Sequence, residues 1–173
     1  MKETELKFEV QDFKGLRQAL QKIGANLVWK GTEQNYYFDT IDKKLEKAGI
    51  DLRLRKWEGH SNTLTLKLAA EKNKTVKVRQ EFQIEINDIS IMSRILKILG
   101  FFQIFRYEKA REHWQLKDAS VELDKLNNKY FVEIEASQKR IGELGRFLNL
   151  DPTKSTAQGY LEILKEIKLK KTS

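Results

Sequence analysis

The chain has 173 residues with 33 Lys or Arg against 25 Asp or Glu, a formal net charge of +8. That length predicts one domain, residues 1–173; the lack of any cysteine, with His60 and His113 as the only histidines, excludes disulfides, thiol catalysis and Cys- or His-rich metal centres, so a metal must sit on oxygen ligands, as Mg²⁺ or Mn²⁺ does. No apolar run reaches the roughly 20 residues of a membrane span, and the charged start Met1–Val10 lacks a signal-peptide core, so a cytoplasmic protein with an anionic partner is expected.

Residues 2–10 alternate polar and apolar side chains, the period-two signature of a strand. A helix follows, with Asp12 as N-cap, Phe13, Leu16, Leu20 and Ile23 on one face, and Gly24 as its stop. Strands are predicted over 27–39, 50–58, 62–70 and 76–87. The stretch Ile41–Gly49 reads as a hairpin excursion without chemical role, and Gly59–Asn62 and Glu71–Lys74 as tight connections. A second helix from Asp88 to Leu99 aligns Ile91, Ile95 and Leu99. Strands over 102–116, 119–126 and 129–136 come next, the last two joined by Asn127–Asn128, which tolerate the positive φ of a tight turn. A third helix, Ser137–Leu148, aligns Ile141, Leu144 and Leu148. A fourth follows Pro152, with Ser155 or Thr156 as cap and Tyr160, Ile163, Leu164 and Ile167 inward. Trp29, Trp57 and Trp114 read as packing residues on strands, and Lys165–Lys171 as a solubilising tail. Eight strands and four helices make an α+β protein.

The residues that alternate are unusual. One parity of these strands is almost entirely charged, where exposed strands favour Thr, Ser and Gln, and several strands carry a single sign of charge. A closed antiparallel barrel with its charged face inward, covered outside by the helices, accounts for both features. Inside it, Glu3, Glu5, Glu122, Asp124, Glu133 and Glu135 could gather divalent cations. Lys7, Arg53, Arg55, Lys67, Arg79, Lys109 and Arg111 could clamp a polyanion, with Arg forks on phosphate oxygens. Charges this dense are too costly to bury for stability alone, so they imply a ligand.

The order of these motifs resembles the CYTH domain family, the triphosphate tunnel metalloenzymes. Glu3-x-Glu5-x-Lys7 is similar to its ExExK signature, Tyr36-Tyr37-Phe38-Asp39-Thr40 to its YFDT segment, and Leu52-Arg53-Leu54-Arg55 to its LRLR strand. Thr65-Leu66-Lys67, Arg79-x-Glu81, Lys109-Ala110-Arg111, Val121-Glu122-Leu123-Asp124 and Phe131-Val132-Glu133-Ile134-Glu135 continue the match along roughly 135 residues. The resemblance implies an eight-stranded antiparallel tunnel with a charged interior and about four flanking helices, binding a triphosphate such as tripolyphosphate, ATP or thiamine triphosphate with Mg²⁺ or Mn²⁺. It makes Glu3, Glu5, Glu133 and Glu135 metal ligands, with Glu122 and Asp124 as further ligands or support, and the seven cations the triphosphate clamp. It pairs Lys109 with Tyr36 or Tyr37 in catalysis. The two tyrosines face opposite sides of a strand, so only one can point inward. The stretch Ser155 to Glu162 departs from the Ser-Tyr pair that often opens the family's last helix. The expected activity is triphosphate hydrolysis, with conversion of ATP to cyclic AMP by a class IV adenylate cyclase as the alternative. A non-catalytic nucleic-acid or polyphosphate binder is the competing class, nucleic acid being the disfavoured partner, and a homodimer is one expected state.

Overall fold

The computed structural model describes residues 2–71 and 76–171, with side chains described through Glu166. Its elements run β1 (Lys2–Val10), α1 (Leu16–Lys22), β2 (Asn26–Asp39), α2 (Lys44–Lys47), β3 (Asp51–Trp57), β4 (Asn62–Lys67), β5 (Lys77–Ile86), α3 (Ile89–Ile98), β6 (Phe102–Gln115), β7 (Ala119–Leu126), β8 (Lys129–Ala136), α4 (Gln138–Phe147), β9 (Ser155–Thr156) and α5 (Tyr160–Lys171). Eight strands form an antiparallel sheet in the order β5-β4-β3-β2-β6-β7-β8-β1, and β1 returns to β5 by pairing Lys2–Glu5 with Lys77–Gln80. The sheet therefore closes into a barrel, which satisfies the backbone groups that an open sheet leaves at its edges.

Alternation decides which way each strand faces. On β8, Val132 and Ile134 are fully buried on the outer face, where α1 and α4 cover them with Leu16, Leu20, Ile141 and Leu144. Each such side chain contributes roughly 1.5–3 kcal/mol by leaving water. A second outer layer packs Leu96 of α3 against Phe38, Leu52 and Leu54 of β2 and β3. The third apolar cluster lies inside the barrel. Inward-facing Tyr37, Tyr107, Leu126 and Phe131 gather at one end, and α5 packs Tyr160, Ile163 and Leu164 against them. The opposite end is where β3, β6 and β8 finish and β1 begins, so it carries Trp57, His113, Glu135 and Glu3.

The structure corrects several local expectations. Asp12 does not cap α1: its carboxylate accepts from the Lys14 amide at 2.6 Å in a turn, and Gly15, at φ 80°, leads into the helix. Helix α3 is rolled relative to the predicted face, so that Leu96 points to the sheet while Ile91, Ile95 and Leu99 are 58%, 43% and 66% exposed. The stretch after Asp39 contains a short helical turn, because the buried Asp39 carboxylate accepts from the Thr40, Leu45 and Glu46 amides at 2.7–2.9 Å. Ser155 and Thr156 do not cap the last helix; they pair with Phe8 and Lys7 as β9, and α5 begins at Tyr160. Trp57 does pack on its strand, against Trp29, but on the inward parity of Arg53 and Arg55, whereas Trp114 is a core residue. Of the Glu71–Lys74 connection, residues 72–74 lie outside the described residues, as do the side chain of Ile167 and most of the lysine run.

Candidate active site inside the barrel

A cavity of about 690 Å³ occupies the barrel interior. Glu3, Glu5 and Lys7 of β1, Tyr37 of β2, Arg53 and Arg55 of β3, Lys67 of β4, Arg79 of β5, Lys109 and Arg111 of β6, Glu122 of β7, and Glu133 and Glu135 of β8 all line it. They converge because every one occupies the inward parity of its strand, which the cross-strand registers carry around the barrel: Glu5 stands opposite Glu135, Glu122 opposite Glu133, and Lys67 opposite Glu81. Tyr36 does not join them. It faces outward beneath the Arg106 guanidinium, and its hydroxyl donates to Gln34 Oε1 at 2.8 Å.

Two further sequence-selected residues hold positions that limit their chemistry. Asp124 is wholly buried under the cavity floor, where Lys109 Nζ (2.9 Å), Arg111 Nε and Nη2 (both 2.6 Å) and the Tyr160 hydroxyl (2.6 Å) all donate to it. With its oxygens already engaged, Asp124 acts as an anchor for the cations rather than as an open metal ligand. Arg79 is similarly committed: it donates to the carbonyls of Leu68 (2.6 Å), Gly49 (2.9 Å) and Lys67 (3.3 Å) and to Asp51 Oδ2 (2.5 Å). It holds β3, β4 and β5 together at that point.

Arg53 contrasts with both. It is 8% exposed, yet its Nε and Nη2 have no hydrogen-bond partner among the described residues; neither does the neighbouring Arg55 Nε. Burial opposes the charge on Arg53, but Tyr37, Tyr107 and Glu33 nearby hold its pKa above the usual value. Unsatisfied, desolvated guanidinium groups are costly, and they are matched to an anion that brings its own oxygens.

The acidic side of the cavity is spread over β7, β8 and β1. Lys67 Nζ donates to both Glu3 oxygens at 2.6 Å, and Lys7 bridges Glu5 (3.1 Å) and Glu133 (3.2 Å). Among the described residues no three acidic or histidine side chains form a ready-made metal cage. The donors nonetheless suit a hard cation. Burial, reinforced by Glu3 and Glu122 and opposed by Lys67, raises the pKa of Glu135 to about 8. Glu122 Oε2 is buried with no hydrogen-bond partner among the described residues, while Oε1 lies 2.8 Å from His113 Nδ1. Burial also raises Glu5; Glu133, although buried, is held well below the usual carboxylate range by Lys7 and Arg111. Among the described residues eight cationic and seven carboxylate side chains line the cavity, so neither sign dominates. Such a lining fits a polyanion that arrives with a divalent counter-ion better than either alone.

Sequence reasoning missed Glu33, Asp51, Tyr107 and Tyr160. Glu33 is fully buried, and although burial pushes its pKa up, Lys109, Arg111 and Arg53 bring it to about 2. Parity was the available signal: Glu33 is in step with Tyr37, and Asp51 with Arg53. Tyr160 comes from a helix, where no alternation marks an inward residue; its ring lies 4.2 Å beneath Lys109 Nζ.

The raised Glu135 predicts a pH effect. Between pH 4.5 and about 8 the folded state holds a proton that the unfolded state has lost, so stability falls as pH rises through that window. The melting temperature of metal-free protein should decline from pH 5 to pH 8, Glu135→Gln should flatten the decline, and Mg²⁺ or Mn²⁺ should oppose it. Thermal melts across that range check all three.

Comparison with known proteins gives consistent findings. The CYTH domain profile matches residues 1–150. A Methanocaldococcus jannaschii protein carrying a provisional adenylate cyclase name is 27% identical over 172 residues, covering 99% of this chain and 92% of that one. A Vibrio parahaemolyticus structure, provisionally named an adenylate cyclase, superposes with a TM-score of 0.85 at 19% identity, covering 94% of this chain and 97% of that one. The Hippeastrum protein HpAC1, described as having a dominant triphosphatase activity, superposes with a TM-score of 0.71 at 17% identity, covering 95% of each chain. At these identities the structural likenesses are of fold.

Proposed function

Since the chain belongs to the CYTH domain family, we propose that it is a divalent-metal-dependent enzyme that hydrolyses triphosphates inside its barrel. The observation that carries this reading is Arg53, a buried guanidinium whose Nε and Nη2 have no hydrogen-bond partner among the described residues, facing across the cavity a wall of carboxylates in which burial and neighbouring carboxylates raise Glu135. Arg53, Arg55, Lys109 and Arg111 would bind and align the phosphate oxygens, with Lys7 and Lys67 joining them as their carboxylate partners turn to metal. Glu3, Glu5, Glu133 and Glu135, with Glu122 beside them, would hold Mg²⁺ or Mn²⁺, which when bound neutralises phosphate charge and activates the nucleophile. Phosphoryl transfer requires mainly positioning and charge stabilisation, and the fixed barrel wall supplies both.

Asp124 and Glu33 would hold Lys109 and Arg111 in place as the chain between two phosphates breaks. Tyr37, not Tyr36, would be the tyrosine beside Lys109. Burial raises its pKa, so it stays protonated and donates a hydrogen bond to the phosphate. If water attacks the terminal phosphorus, the bridge to the next phosphate breaks and the products are phosphate and the remaining diphosphate, pyrophosphate from tripolyphosphate or ADP from ATP; if the ribose 3′-hydroxyl attacks the α-phosphorus, the products are cyclic AMP and pyrophosphate. The clamp serves both, and the cyclase names of the relatives keep the second reading open. A cytoplasmic setting and a single tunnel unit accompany this proposal; among the described residues no helix is long and apolar enough to cross a membrane.

The test is a product assay on tripolyphosphate, ATP and thiamine triphosphate with Mg²⁺, Mn²⁺ or EDTA. Phosphate release that EDTA abolishes supports the hydrolase. Cyclic AMP with stoichiometric pyrophosphate replaces it with the cyclase. Metal-independent turnover contradicts both.

A further inference from the structure

The lining of the cavity changes character at the end where β3 finishes. There the rim carries the indole of Trp57, and Phe82 and Ile84 of β5, 51% and 57% exposed, lie at the cavity edge on the outer parity of their strand, opposite Leu66 and Leu64. An inorganic triphosphate has no use for such a rim. Trp57 is the residue that joins the rim to the phosphate clamp: it stands opposite Glu33 in the barrel, and the Arg55 guanidinium lies over its ring, 5.3 Å from the centroid.

The ring is also buttressed. Trp29 packs against it with centroids 4.6 Å apart and planes at 53°, and His60 approaches to 5.3 Å. Trp29 is itself fixed, because its Nε1 donates to the Glu58 carbonyl at 3.0 Å. Its indole crosses the face of Gly31, where a Cβ would come within 2.8 Å of Trp29 Cζ2, so only glycine allows that pose. The Trp57 Nε1, by contrast, is buried without a partner among the described residues.

We propose that Trp57, backed by Trp29 and His60, is a specificity-determining platform: the heteroaromatic ring of an organic triphosphate stacks on the face that Arg55 covers in the free protein, as Arg55 turns from the ring to the adjoining phosphate. This rests on the triphosphate reading above and narrows it: the preferred substrates carry a planar ring, as nucleoside triphosphates do, and inorganic tripolyphosphate is the poorer ligand. Stacking of a base on an aromatic side chain tolerates any base, so the platform selects for a ring rather than for adenine.

The test measures binding of two probes to the full chain with Mg²⁺, by calorimetry: the β,γ-imido analogue of ATP and imidotriphosphate. Trp57→Leu, which keeps apolar bulk but removes the π face, should weaken the ATP analogue by about 10- to 100-fold and imidotriphosphate by less than about twofold, while Trp57→Phe should stay within about fivefold of wild type for both. In wild-type protein the ATP analogue should quench tryptophan fluorescence and imidotriphosphate should not, which decides the matter even if the leucine variant fails to fold. Equal effects of Trp57→Leu on both probes, or no effect on either, or no selective quenching, would overturn the platform and leave the triphosphate reading standing. Wild-type protein that binds neither probe would overturn both.

Discussion

Arg53→Ala is expected to lower kcat/KM for triphosphate hydrolysis by about 10²–10³-fold while leaving the melting temperature within a few degrees of wild type. The two halves of that result have one cause. Arg53 sits in the wall at 8% exposure with no hydrogen-bond partner for Nε or Nη2 among the described residues, so in the unliganded protein the desolvation of those two donors is not offset by hydrogen bonds, although Glu33 nearby favours the charge. Removing it relieves that cost, which compensates for the packing lost with its side chain. In the complex the same donors meet phosphate oxygens, and a fully desolvated charge pair of this kind is worth about 3–4 kcal/mol when one partner is truncated. Activity and stability therefore separate at this residue. Steady-state kinetics and a thermal melt on the same preparation measure both, and a variant that loses stability in step with activity would place Arg53 among the structural residues.

Asp124→Ala is expected to do the reverse, costing about 3–5 kcal/mol of folding free energy, the range for breaking a buried ion network from one side. Lys109, Arg111 and Tyr160 all donate to this one carboxylate, and its loss leaves two buried cations with only longer contacts to Glu33 and Glu133, at 3.4–3.6 Å, and takes the acceptor from a buried hydroxyl. Tyr160 is also the first residue of α5, so the contact that fixes the helix across the barrel end goes with it. For a chain of this size the melting temperature should fall by roughly 6–20 °C. Denaturant titration gives the free energy, and a fall in the midpoint without a change in slope would identify the loss as one of stability alone. Asp124→Asn, which keeps the shape but surrenders the charge, should lie between the two. The barrel interior thus contains charges held in place by one another, such as Lys109 and Arg111 on Asp124, beside donors of Arg53 that have no partner among the described residues.

Much of this was legible in the sequence because period-two alternation is a geometric statement. Once Arg53 and Arg55 are known to share a face, the closed barrel brings that face to Lys109 and Glu133 without further information. The strands 119–126 and 129–136 emerge with the same bounds for that reason, since Asn127 takes the positive φ their turn needs. The helices were less legible. In α3 apolar residues are spread around much of the surface, so spacing alone selected the stripe Ile91, Ile95 and Leu99, while burial depends on Leu96 reaching Phe38 and Leu54 across the chain. Within the candidate site, residue type identified the inward cations but not their partners. Whether Arg79 turns into the cavity or onto the Gly49 and Leu68 carbonyls, and whether Asp124 meets a metal or Lys109, is decided by distances between strands far apart in sequence. Tyr36 and Tyr37 show the same limit at its smallest scale: adjacency guarantees opposite faces, and only the register with Arg53 and the stacking on Tyr107 select Tyr37.

The central claim is that the interior takes a triphosphate and a divalent cation together. Calorimetric titration of a non-hydrolysable triphosphate into metal-free protein, repeated with saturating Mg²⁺ or Mn²⁺, tests it most directly. Coupling through the carboxylate wall predicts that the metal tightens triphosphate binding by at least about tenfold, and that bound triphosphate tightens metal binding by the same factor, as linkage requires. Glu5→Ala should abolish that coupling. Equal affinity with metal and with EDTA would contradict the account.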